Sequence, residues 1–309
     1  MKNIKKNIPV ILVLLLTIPT IGIAQQLPQF TQYMFNTISI NPAYAGSREA
    51  LNITALNRNQ WVGLNGAPVT QTVSMHTPLR NEKIGLGLSF INDELGFENF
   101  TYIYGDFSYT VQTGLNTKLA LGLKGGFTSY SLDDRIMSDP SVAADPFFSD
   151  DISRWNPNFG LGVFWHSDRW YLGLSAPRII NHDLNENNAF KAAERVQYYF
   201  TGGYVFDLNK DFKFKPSYLV KATNGAPLSY DMTAMFLYRE VFWFGANYRI
   251  DDAVGFLVDL QVSKQFRIGY AYDYTISDVR NTFTNGSHEF LLIYEFKFDK
   301  SKIKSPRYF

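Results

Sequence analysis

Histidines stand at four positions only, His76, His166, His182 and His288, and no two are spaced as ligands of one metal ion. No serine lies in a nucleophile elbow and no Ser-His or Asp-His pairing can be read from the spacing, so hydrolysis is not expected. Cysteine is absent, which removes thiolate metal sites, cysteine nucleophiles, disulfides and lipoprotein anchoring in one step. The stretch 131–156 holds Asp133, Asp134, Asp139, Asp145, Asp150 and Asp151. Calcium takes about six to eight oxygen ligands, but these carboxylates match no calcium-loop spacing, and a solvated acidic loop is expected. No glycine-rich loop leads into a helix to cradle a phosphate. The expectation is therefore a non-enzymatic protein with no catalytic residue, no cofactor and no metal.

The elements around these residues explain the poverty of chemistry. Residues 1–24 have the form of a secretion signal: Lys2, Lys5 and Lys6, then an apolar run, then Gly22-Ile23-Ala24 at the cleavage point. Without those three lysines, 26 basic residues face 28 acidic ones, a net charge of −2, and nucleic acid is not an expected partner.

Beyond the signal, alternation of period two dominates. Val254, Phe256, Val258, Leu260 and Val262 oppose Asp259, Gln261 and Ser263; Phe290, Leu292, Tyr294 and Phe296 oppose Glu289 and Glu295. Fourteen strands are expected, at 52–58, 68–77, 83–93, 99–113, 116–130, 157–166, 169–178, 195–208, 212–222, 228–239, 241–251, 253–263, 265–275 and 287–299. Most have ten or more residues, against about five or six in soluble sheets and about 9–11 for a tilted bilayer crossing. Connections after even-numbered strands are short and those after odd-numbered strands are often long, the asymmetry of a transmembrane barrel. The fold expected is all-β: a transmembrane antiparallel β-barrel of about 14 strands, both barrel termini in the periplasm, with a short N-terminal helical or plug segment. Lys124, Arg195, Lys215, Asp231, Arg239, Asp259, Arg267, Asp273, Glu295 and Lys297 should point inward, away from lipid. Trp165, Trp170 and Trp243 should form an aromatic girdle at the periplasmic turns. Gly125-Gly126 and Gly202-Gly203 should mark kinks or close approach of a neighbouring segment.

Between signal and barrel lies "QFTQYMFNTISINPAYAG", 29–46. Phe30, Tyr33, Met34 and Ile38 recur at helical spacing, so 29–38 reads as a short amphipathic helix, ended by Asn41-Pro42. Ala43, Ala45 and Gly46 are small enough for close packing. Such a segment would fold into the lumen as a plug or dock below the rim, with Phe30, Tyr33, Met34, Asn41, Pro42, Tyr44 and Gly46 as its working residues. The organisation is thus 1–24 signal, 25–51 plug or docking segment, 52–299 barrel and 300–309 periplasmic tail.

The stretches "QFTQYMFN", "NPAYAGS", "ALNRNQWVG" and "PVTQTVSMHTPL", with "KSPRYF" at 304–309, resemble the PorP/SprF family of type IX secretion-system membrane proteins of Bacteroidetes. The resemblance implies an outer-membrane β-barrel, reached by Sec-dependent export, that works with the type IX machinery. It implies partners among outer-membrane lipid, machinery components and a secreted cargo such as a large gliding adhesin. No catalytic residues belong to the family. Tyr308 and Phe309, with Pro306 and Arg307, fall in its tail pattern. An alternative is a FadL-like outer-membrane transporter of a small hydrophobic ligand, whose family also has fourteen strands and places an Asn-Pro-Ala turn in an N-terminal hatch.

Overall fold

Strands whose residues alternate in polarity must separate two environments, and a sheet in lipid must close to leave no unpaired edge. The computed structural model, which describes residues 28–133, 153–182, 195–277, 284–296 and 308–309, closes in this way. Its strands are β1 (Leu51–Asn59), β2 (Val69–Pro78), β3 (Ile84–Leu95), β4 (Glu98–Gln112), β5 (Thr117–Leu132), β6 (Ser153–Ser167), β7 (Trp170–Ala176) and β8 (Gln197–Tyr204). They continue with β9 (Phe206–Asp207), β10 (Phe212–Thr223), β11 (Ser229–Tyr238), β12 (Phe242–Arg249), β13 (Ala253–Gln261), β14 (Phe266–Thr275) and β15 (Ser287–Phe296). Sequence neighbours pair antiparallel, except that β8 and β9 both pair with β10 and not with each other, and β1 joins β15 from Leu51 opposite Phe296 to Asn59 opposite His288.

The wall has fourteen staves, because β8 and β9 are one strand with a gap in its ladder. The register onto β10 is continuous across the gap, with Gly203 opposite Ser217 on one side and Phe206 opposite Phe214 on the other. Pro216 falls between them and has no N–H to give. The barrel expected from alternation is the barrel observed. The main differences at strand ends are at β6, which starts four residues earlier than expected, and at β7, which stops at Ala176 before Pro177.

Outward faces are apolar. Leu121, Leu123 and Phe127 on β5, Phe256 and Val258 on β13, and Phe290 and Leu292 on β15 are all about half exposed, on the face a barrel turns to lipid. Lys124, Lys215, Asp231, Asp259, Arg267, Asp273 and Glu295 are buried on the inward face as expected. Arg195 and Arg239 are exposed instead, Arg195 ahead of β8 and Arg239 in the turn between β11 and β12; Lys297 lies outside the described residues.

Turns at 79–83, 113–116, 168–169, 208–211, 239–241 and 262–265 gather at the end where β1 starts and β15 finishes, here the terminal rim. The longer connections gather at the opposite loop rim. Trp165 and Trp170 meet edge to face at 4.9 Å on the terminal rim. Trp243 departs from the expected girdle. It is only 2% exposed and points inward, because Phe242 and Phe244 take the lipid-facing positions on either side of it.

Candidate functional site: the filled lumen

Residues 29–50 run through the barrel interior from the loop rim to the terminal rim. Gln29 donates to Ser229 (3.2 Å) and to Asp231 at the loop-rim end of β11. At the other end, Arg48 pairs with Glu295 at 2.7 Å and Glu49 with Lys118 at 2.7 Å. Between these anchors Thr31, Gln32, Ile38, Asn41 and Ala43 are essentially inaccessible.

The local structure differs from the amphipathic helix that the spacing predicts. Three 3-10 turns replace it: Tyr33–Phe35, Thr37–Ser39 and Pro42–Tyr44. The physical reason is enclosure on all sides. Thr31, Gln32, Asn36 and Thr37, assigned to a polar face by the periodicity, are as buried as Phe30, Tyr33 and Met34. Backbone groups that the 3-10 turns leave unpaired are met by the wall. The N–H groups of Thr31 and Gln32 donate to Glu289 at 3.0 and 2.8 Å. The carbonyls of Ile40 and Ala45 accept from Ser175 (2.7 Å) and Ser108 (2.6 Å). Asn41-Pro42 was expected to end a helix and starts a turn instead. Asn41 Oδ1 accepts the Ala43 N–H at 3.0 Å, and Pro42, with its fixed φ, suits the first position. The other Asn41 side-chain atom, Nδ2, donates to the Val163 carbonyl of β6 at 3.0 Å, fastening the turn to the wall.

Room for this backbone comes from glycines on inward faces. A Cβ on Gly122 would lie 2.1 Å from the Ala43 nitrogen, one on Gly162 2.1 Å from Asn41 Oδ1, and one on Gly85 2.1 Å from the Ala45 carbonyl oxygen. Gly46, at φ +76°, packs its own backbone against Gly85. The glycine pairs singled out from sequence do other work. Gly126 is crowded by β4, Gly202 is covered by Tyr218, and neither meets the N-terminal segment.

Ion pairs bind the loop-rim half. Arg58 contacts Asp273 at 2.8 Å and Glu289 at 3.2 Å, and Asp273 also accepts from Thr31 Oγ1 at 2.6 Å. Arg249 contacts Asp231 at 2.9 Å. In mid-barrel, Lys124 pairs with Asp106 at 2.7 Å. Removing one member of a buried pair leaves an uncompensated charge, at a cost of about 3–5 kcal/mol. These pairs therefore lock the segment's hydrogen-bond acceptors in position. Alternation placed Asp273 and Glu289 on polar faces, yet gave no signal that Arg58 and the Thr31 amide would converge on them.

The lumen is not uniformly polar. Phe30, Tyr33, Met34, Phe35 and Ile40 form an apolar cluster with inward Leu56, Leu219, Met235, Leu237, Trp243, Leu257, Leu291 and Ile293. Tyr44 meets His76 and Phe164 edge-on at 5.2 and 5.4 Å. Burial of these side chains, worth roughly 25 cal/mol per Å2 of apolar area, opposes hydration of the segment. The structure thus brings Phe30, Tyr33, Met34, Asn41, Pro42, Tyr44 and Gly46 together along one path. Tyr308 and Phe309 are seated at the terminal end of that path, and Pro306 and Arg307 lie outside the described residues. Most of the aspartate-rich stretch 131–156 also lies outside them.

A family described as type IX secretion system membrane protein PorP/SprF matches residues 22–294. No curated protein matches. Among solved structures, the outer membrane protein Omp33 of Acinetobacter baumannii is 7% identical (TM-score 0.45), over 81% of this chain and 98% of its own. A FadL homologue of Pseudomonas aeruginosa is 13% identical (TM-score 0.43), over 88% and 95%. The TodX monoaromatic hydrocarbon channel is 9% identical (TM-score 0.48), over 88% and 95%.

Proposed function

The chain belongs to the PorP/SprF family of type IX secretion system membrane proteins, an outer-membrane β-barrel, and on that premise we propose that it supports export or surface attachment of a specific secreted cargo, such as a large adhesin of gliding motility, without catalysing a reaction. In this reading the terminal rim faces the periplasm, where type IX machinery components dock, and the longer connections face outward toward cargo. Sec-dependent export delivers the chain, and residues 29–46 act as a fixed plug.

The observation that carries the plug reading is the glycine-lined fit of Asn41–Ala45 against β3, β5 and β6, together with the two amides held by Glu289. A filled lumen leaves no through-path for cargo, so the barrel serves as a scaffold rather than a conduit. That argument also weighs against the FadL-like alternative. A ligand transporter needs an apolar cavity inside the barrel, and here the apolar interior surface is already covered by Phe30, Tyr33, Met34 and Phe35.

The test is a deletion of residues 29–46 in the native host, with a tagged copy purified from the outer membrane. The deleted barrel is expected to insert yet to lose cargo secretion or attachment, and the intact protein to bring type IX components with it. Normal export by the deletion variant, or purification of the intact barrel free of machinery, refutes the proposal.

A further inference from the structure

Tyr308 and Phe309 are held at the terminal mouth by contacts from three sides. The Tyr308 carbonyl accepts from Lys215 Nζ at 2.6 Å, and Lys215 is fully buried on the inward face of β10. The same ammonium lies 4.9 Å from the Phe35 ring centroid, 5.5 Å from Trp243 and 5.7 Å from Phe309, so one cation joins the tail, the wall and the N-terminal segment. The Phe309 ring packs on Tyr171 at 5.1 Å and is 9% exposed. Lys213 Nζ sits 5.4 Å from the Tyr308 ring centroid, and the Tyr308 hydroxyl donates to Glu240 at 3.3 Å. Glu240 and its neighbour Arg239 both have left-handed backbones, at φ +58° and +48°. That conformation is uncommon for residues with a side chain, and here it belongs to the tight turn that meets Tyr308.

We propose that the terminal mouth is a peptide-binding socket selective for a Tyr-Phe pair, filled in this molecule by its own Tyr308-Phe309. Two features make it a socket rather than a chance contact. The Phe309 ring packs on Tyr171 beside Lys215, and the tail's backbone is read by that buried lysine, whose one hydrogen bond among the described residues goes to the Tyr308 carbonyl. Seating the pair presses on Phe35 through Lys215, so the socket also latches the N-terminal segment. Beside Tyr308 lies a cavity of about 430 Å3 bordered by Arg48, Trp243 and Arg267, which becomes continuous with the socket once the tail is vacated. The socket is independent of which machinery the barrel serves.

The experiment is peptide binding to purified barrel in detergent, read by fluorescence anisotropy of a labelled Gly-Gly-Tyr-Phe. The variant carrying Tyr308→Ala and Phe309→Ala vacates the socket. It is expected to bind the peptide saturably, to bind Gly-Gly-Ala-Ala at least about tenfold more weakly, and to lose binding when Lys215→Met is added. The intact chain is expected to exclude the peptide. Equal binding by intact and vacated chains, or no preference for Tyr-Phe, overturns the proposal. Because the vacated variant can misfold, a second arm keeps both rings: the chain with its native tail is treated with carboxypeptidase in detergent, with and without Lys215→Met. Release of Phe309 is expected to be at least about tenfold faster with Lys215→Met, which removes the hydrogen bond to the Tyr308 carbonyl. Equal rates of release overturn the proposal as well.

Discussion

Replacing Gly122 by alanine tests the fit of the N-terminal segment most sharply. The added methyl would sit 2.1 Å from the Ala43 nitrogen, 2.5 Å from its Cα and 2.5 Å from the Pro42 carbonyl carbon, where ordinary contact begins at 3.4 Å. The obstacles are backbone atoms, so no side chain can swing aside, and the Pro42–Tyr44 turn must retreat by about 1 Å. Overpacking of this kind costs about 1–3 kcal/mol. One to two kcal/mol corresponds to a factor of about 5–30 in the balance between seated and displaced segment. Gly125→Ala, three residues along the same strand, is the control, since its methyl meets only the Phe159 ring at 3.6 Å. The chain has no cysteine, so Thr37→Cys supplies a unique reporter at a position 4% exposed in the seated segment. Maleimide labelling of that thiol in detergent should quicken about 5–30-fold in the Gly122→Ala background and stay unchanged with Gly125→Ala. Equal rates in parent and Gly122→Ala, or the same acceleration in both variants, would refute the packing argument.

Three further outcomes are expected. Val258→Arg places a charge on the lipid face at a cost of about 2–4 kcal/mol and should block assembly, seen as loss of the heat-modifiable band on a gel, whereas inward Asp259→Asn should keep it. Trp243→Ala should lower the unfolding midpoint far more than Trp165→Ala, because truncating a buried tryptophan costs about 3–5 kcal/mol and Trp165 is 42% exposed at the rim; equal losses would mean that Trp243 faces lipid after all. Glu289→Ala leaves Arg58 with Asp273 alone and takes the acceptor from the amides of Thr31 and Gln32, and near-UV circular dichroism should report a destabilisation of about 1–3 kcal/mol, with Ser89→Ala as a mild comparison.

The wall was legible because a strand in lipid obeys one rule at every position. Phe256 must face out if Asp259 faces in, and fourteen staves follow from counting such runs. What alternation could not supply was the path of residues 29–50. Helical periodicity assumes one buried face and one wet face, and Thr31 and Gln32 have neither, since the wall surrounds them. Trp243 was misassigned for a related reason. Its place after a short turn suggested a girdle, while the parity set by Phe242 and Phe244 already pointed it inward. The glycines under the segment carried a readable signal. Gly85, Gly87 and Gly122 share the inward parity of their strands, where a lipid-facing barrel with an empty lumen has no need of small residues. Convergence of Arg58, Asp273 and Glu289 depends on the register of β1, β14 and β15 and cannot be read from any one strand.

Ion conductance through single barrels in a planar bilayer tests the filled lumen directly. The intact protein should be electrically silent, and the same barrel lacking residues 29–46 should open a steady, ohmic pore. An intact barrel that conducts as freely as the deleted one would contradict the account.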